Sequence, residues 1–160
     1  MKTLRWCAAV CAVAFASTSA AEDKKDAKKL PDAVAQALAK AGELELYSID
    51  GDAKDKGDWH GWKVLGKTTV KGADAKKVAD AVTKGVADGD TGAKCFIPRH
   101  GVRVTHDKTT YDLVICFECN WVYVYSGEDK VQKFPTTAAA EKAINEALTA
   151  AKVPLAKPEK

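Results

Sequence analysis

The stretch 101-GVRVTHDKTTYDLVICFECNWVYVYSGEDKVQKF-134 decides the architecture. Within it, Gly101 to Thr105, Tyr111 to Phe117, Trp121 to Tyr125 and Lys130 to Phe134 are rich in β-branched and aromatic residues, the side chains that suit a pleated, half-buried surface. Asp107 to Thr110, Glu118 to Asn120 and Ser126 to Asp129 separate them. Connections this short force antiparallel neighbours, because a parallel crossover needs a dozen residues or more. The reading is a four-stranded meander, with Val104 set roughly opposite Leu113.

Upstream, Glu43-Leu44-Glu45-Leu46 alternates strictly and continues to Ile49, which predicts a strand closed by a turn at Asp50-Gly51-Asp52. Trp62 to Val70 forms its hairpin partner. Three amphipathic helices complete the pattern. The first carries Leu30, Val34, Ala37, Leu38 and Ala41, with Pro31 in its first turn and Gly42 at its stop; the second carries Val78, Ala79, Val82 and Val86; the third carries Ala140, Ile144, Ala147, Leu148 and Ala151 and cannot pass Pro154. The expected fold is α+β: one antiparallel sheet, made of a two-strand hairpin plus a four-strand meander, with about three Ala-rich helices on one face. One domain spans 30–153, preceded by a charged linker at 22–29 and followed by a flexible tail at 154–160. Such a domain is large enough to bury a core without covalent staples, so a disulfide is optional.

The amino end reads as a signal peptide over residues 1–21. Lys2 and Arg5 precede an uncharged run from Trp6 to Ala16, then Ser17 to Ala21 supply the small residues of a cleavage site. The run is too short to remain as a membrane span, which needs about 20 apolar residues. Export to the periplasm or the extracellular space follows, with no membrane span after cleavage. Removing Lys2 and Arg5 leaves 23 basic and 22 acidic residues, a net charge of +1, so a nucleic-acid partner is not expected. Cys7 and Cys11 leave with the leader, and Cys95, Cys116 and Cys119 remain in a compartment that permits disulfides.

The densest chemistry is Cys95-Phe96-Ile97-Pro98-Arg99-His100 together with Cys116-Phe117-Glu118-Cys119. Strand pairing brings the two segments near each other. On an unbroken strand Cys116 and Cys119 point to opposite faces, so they converge only if 118–120 turns. Four readings stand open. One is a disulfide from Cys95 to one of the later pair. A second is a structural Zn²⁺ site of Cys95, His100, Cys116 and Cys119, in a C-x4-H-x15-C-x2-C spacing. A third is thiol chemistry at C-x-x-C with Arg99 or His100 as activator, which the following strand and the charge of Glu118 both oppose. The fourth is three buried thiols serving as small core side chains. Covalent haem attachment is excluded because Asn120, not His, follows the C-x-x-C.

Other candidates carry less. Asp50, Asp52, Asp55 and Asp58 fail as a calcium loop, since Asp55 stands where a glycine is needed and Gly61 where a glutamate is needed. His60, between Trp59 and Trp62, either lines a recognition surface or caps an edge of the core. His106 reads as a strand-end histidine. Trp121, Tyr123 and Tyr125 form an aromatic stripe read as core packing rather than base stacking.

The segments Cys95 to Arg103 and Asp112 to Cys119, with Gly61 to Gly66 and Val153 to Ala156, resemble a group of small exported bacterial proteins of unknown function. The resemblance covers most of 59–156. It implies only that the Cys95 and Cys116 to Cys119 segments belong to one feature. The functional expectation is a non-enzymatic binding or structural module whose cysteine-bearing hairpin is held by a disulfide.

Overall fold

The structure, a computed structural model, describes residues 29–57, 59–127 and 131–157. The signal peptide expected at 1–21, nearly all of the charged linker and the last residues of the tail lie outside the described residues. Chain order is α1 (Asp32–Ala39), β1 (Glu43–Gly57), β2 (Gly61–Lys71), α2 (Gly72–Asp88), β3 (His100–His106), β4 (Thr109–Cys116), β5 (Trp121–Ser126), β6 (Val131–Pro135), a single 3-10 turn (Ala138–Ala140) and α3 (Glu141–Ala150). All six strands join one antiparallel sheet in the order β2-β1-β3-β4-β5-β6.

Three features refine or correct the sequence reading. First, the hairpin and meander of the expected single sheet are joined through Glu45 to Ser48 of β1, which pair with Arg103 to His100 of β3. The chain therefore leaves β2, passes through α2 and returns on the far side of β1. Second, β1 does not stop at Asp50 but runs to Gly57. Asp and Gly are poor strand formers, yet here register shifts between Ser48 and Gly57 absorb the extra residues as bulges, and Asp50 still faces Lys63 while Lys54 faces Trp62. The reversal comes later, where His60 and Gly61 take positive φ angles of 55° and 82°. Third, the β3–β4 register is displaced by two residues. Asp107 and Lys108 both adopt left-handed φ, 47° and 65°, as a two-residue turn of the type that matches strand twist. Thr109 and Thr110 are then strand, and Leu113 lies opposite Val102 instead of Val104.

Alternation along the strands builds two different faces. Leu44, Leu46, Val102, Val104, Leu113, Ile115, Val122, Val124 and Phe134 share one cluster with Val34 and Leu38 of α1, Val78, Val82 and Val86 of α2, and Ile144 and Leu148 of α3. This helix-covered face is the main core. The other face holds a second cluster of Tyr47, Ile49, Trp59, Trp62 and Val114, flanked by half-buried Val64, Phe96, Tyr123 and Tyr125. Its cover is the strand reversal after β1 and the connection from α2 to β3.

Candidate functional site

The connection from Gly89 to Arg99 crosses the helix-free face and is fastened at several points. Cys95 is joined to Cys119 by a disulfide, with their Cα atoms 5.7 Å apart. The Ala93 N–H donates to the Cys119 carbonyl at 2.8 Å, and the Trp121 indole N–H donates to the Ala93 carbonyl at 2.7 Å. Phe96 stacks on Tyr123 with ring centroids 3.6 Å apart and meets the edge of Trp62 at 6.0 Å. The Pro98 carbonyl and Ile97 side chain lie so close to Gly51 that a Cβ there would approach to 2.6 Å, which accounts for glycine in the middle of β1.

Cys116 is a buried free thiol beneath this connection. The turn after β4, with Asn120 at φ 56°, brings Cys119 back so that its N–H donates to the Cys116 Sγ at 3.2 Å. Burial pushes the Cys116 thiol pKa up, against the backbone N–H groups of Ile97 and Cys119 that favour the thiolate. Arg99 is buried; its Nε donates to Glu118 at 3.3 Å, and one terminal nitrogen lies 3.9 Å from Asp52. Its other terminal nitrogen is buried with no partner among the described residues.

His100 lies on the opposite, helix-covered face. Its Nε2 pairs with Asn145 Oδ1 of α3 at 2.8 Å, and its ring tilts over Phe117 at 5.0 Å. Of the four residues in the zinc reading, the structure thus brings Cys95, Cys116 and Cys119 together, uses two of them in a covalent bond, and leaves His100 across the sheet. Among the described residues no group of three or more His, Cys, Asp or Glu is disposed to hold a metal ion.

Burial depresses the His100 pKa, as does Arg99, while the hydrogen bond with Asn145 and the charges of Glu141 and Glu118 act in the other direction. The folded protein therefore binds this proton less readily than the unfolded chain. Stability is retained above the unfolded pKa of about 6.5 and declines as pH falls from there towards the folded value, by up to about 1.4 kcal/mol per unit of separation. Urea midpoints measured from pH 7.5 to 5 should fall less steeply in a His100→Gln variant than in the parent; equal slopes would show that His100 is not the group titrating.

A second group, centred on Asp112, was not singled out from sequence. Arg103 lies opposite Asp112 in the register and holds it with two bonds, Nε to Oδ1 at 2.6 Å and a terminal nitrogen to Oδ2 at 2.8 Å. His60 Nε2 reaches the same carboxylate at 2.7 Å, and the His60 ring stacks on Tyr125 at 3.7 Å. Burial raises the Asp112 pKa, but Arg103 and His60 outweigh it and hold the carboxyl below the usual range. Arg103 extends towards Glu45 at 3.9 Å; Glu45 accepts from the Tyr47 hydroxyl and from Lys67 at 2.9 Å. Tyr47 in turn stacks on Trp59 at 4.4 Å. The signal for this network is the Asp107-Lys108 turn: once two residues are assigned to it, Arg103 and Asp112 become direct cross-strand partners.

Beside the network an open cleft of about 450 Å³ is lined by Tyr47, Trp59, Lys63, Val64, Lys67 and Arg103, with Gly57 at its edge. Three of these residues are cationic, and none of the described lining residues is acidic. His60 lies over the aromatic cluster with its side chain 21% exposed. In the neutral form it donates Nε2–H to Asp112 and presents Nδ1 as an acceptor. His106 sits at the strand end, 3.3 Å from Asp107. Among the described residues no helix is long and apolar enough to cross a membrane. No protein-family model matches the chain, and no curated protein or solved structure matches it either.

Proposed function

We propose that this chain is an exported, non-catalytic binding module that engages its ligand with the helix-free face of the sheet, the Cys95–Cys119 bridge serving as the tie that holds that face in shape. The observation that carries the reading is the construction of the face itself. A sheet surface not covered by helices is here organised by stacked rings, a buried carboxylate held by Arg103 and His60 and a covalently fastened connection, and a cleft lined by Lys63, Lys67 and Arg103 opens beside it. The cleft favours an anionic ligand group, and its aromatic walls favour one with some apolar surface. Nucleic acid remains the poorer candidate, because Tyr123 and Tyr125 spend ring faces on Phe96 and His60.

Titration of the leader-free, disulfide-intact protein with hexaglutamate, followed by backbone amide NMR, tests this. Shifts should concentrate on β1 and β2 around Tyr47, Lys63 and Lys67, weaken with added salt, and diminish several-fold in a Lys63→Glu variant. Shifts confined to the helices, or none at millimolar peptide, would contradict it.

A further inference from the structure

We propose that Cys116 is an internal nucleophile that can take over the bridge to Cys119, freeing Cys95 as a surface site for mixed-disulfide formation with small-molecule disulfides. The inference rests on the tie described above and adds that the tie is transferable. Three observations place the parts. Cys116 carries a free thiol and accepts the Cys119 N–H at 3.2 Å, so attacker and target belong to one tight turn. Cys119 is buried with it, whereas Cys95 is exposed. The sulfur expelled by an attack on Cys119 is therefore the one that faces water, where a thiolate is best solvated.

The exchange balances without an oxidant. Cys116 loses its proton to solvent, and its thiolate pair bonds to the Cys119 sulfur. The Cys95–Cys119 bond breaks, and its electron pair departs on the Cys95 sulfur as a thiolate. That thiolate then attacks an external disulfide, forming Cys95–S–S–R and expelling one thiolate of the reagent, which takes up a proton. Two disulfides and one thiol stand on each side.

Burial of Cys116 keeps its thiolate scarce, which makes the first step slow and pH-dependent: below the thiol pKa the rate rises about tenfold per pH unit. After transfer, the connection across the helix-free face keeps the Ala93 hydrogen bonds and the Phe96 stack but loses its covalent anchor. A group attached at Cys95 then sits on the segment that shapes the recognition face.

The test uses the folded, leader-free wild-type protein, mapped first and then incubated with excess oxidised glutathione at pH 7 and pH 8, quenched in acid and digested. Cleavage after Lys94 and Arg99 isolates Cys95, and cleavage after Glu118 separates Cys116 from Cys119. The expected product carries glutathione on Cys95 and a Cys116–Cys119 bridge, accumulates about tenfold faster at the higher pH, and is absent from a Cys116→Ser variant. Glutathione on Cys116 with the original bridge intact, or no adduct at all, overturns the inference and leaves the tie standing. A starting map without Cys95–Cys119 overturns both.

Discussion

Replacing Cys95 by Ser should lower the stability of the protein lacking residues 1–21 by about 3 kcal/mol, the chain-entropy value for a loop closed between Cys95 and Cys119, a sequence separation of 24. In a domain of this size that corresponds to a melting temperature lower by roughly 10 °C. The connection from Gly89 to Arg99 contributes no helix or strand of its own until β3 begins, and it reaches the sheet through the Ala93 bonds, the Phe96 stack and the backbone of Arg99. Without the bridge its disordering entropy is recovered on local opening, so near-ultraviolet signals from Trp62 and Tyr123 should weaken below the main melt. The Cys116→Ser single variant provides the control, because it removes a sulfur from the same turn while keeping the bridge. Its melt should stay close to the parent's. Equal melting of Cys95→Ser and parent would mean that the bridge contributes nothing to the fold.

Trp59→Ala should cost about 3–5 kcal/mol, the range for emptying a buried large aromatic site. Trp59 is only 7% exposed, stacks on Tyr47 and lies directly on Gly101, where any Cβ would collide with its six-membered ring. Gly101 thus exists to admit Trp59. Gly101→Ala in the parent should cost about 1–3 kcal/mol by overpacking. In the Trp59→Ala background the same change should cost far less, since the added methyl then enters the space the indole left. A double-mutant cycle by urea unfolding measures the coupling. Additive losses would show that the indole does not rest on β3.

The readable parts of the chain were those where one physical preference dominates. Val102, Val104, Leu113, Ile115, Val122 and Val124 recur at every second position because one face of β3, β4 and β5 meets the helices, and that period survives in the sequence, although Val114 between Leu113 and Ile115 is buried on the opposite face. Val78, Val82 and Val86 likewise report the buried side of α2. The meeting of Cys95 with the later cysteines followed from strand adjacency alone.

The parts that escaped were those set by pairing rather than by composition. Asp50, Gly51 and Asp52 look like a turn, yet β2 and the bulges keep them extended. The joining of β1 to β3 depends on α2 carrying the chain past β1, which no local pattern records. The network at Asp112 was hidden by the two-residue displacement of register. With Leu113 opposite Val104, Arg103 has no carboxylate facing it; with Leu113 opposite Val102, it does. Ser48 is similar, a buried hydroxyl that continues the alternation of Leu44 and Leu46 and faces His100 across the pair. Nothing in its neighbours along the chain announces that position.

Cys95 and Cys119 are bonded, and the bond holds the connection that shapes the face opposite the helices. It is read from a disulfide map of the freshly purified protein lacking residues 1–21, its free thiols blocked in acid before digestion that cleaves between Cys116 and Cys119 after Glu118. One cross-linked species joining the Cys95 peptide to the Cys119 peptide, with the blocking group on Cys116, is expected. Blocking groups on all three cysteines, or a bridge confined to Cys116 and Cys119 from the outset, would contradict it.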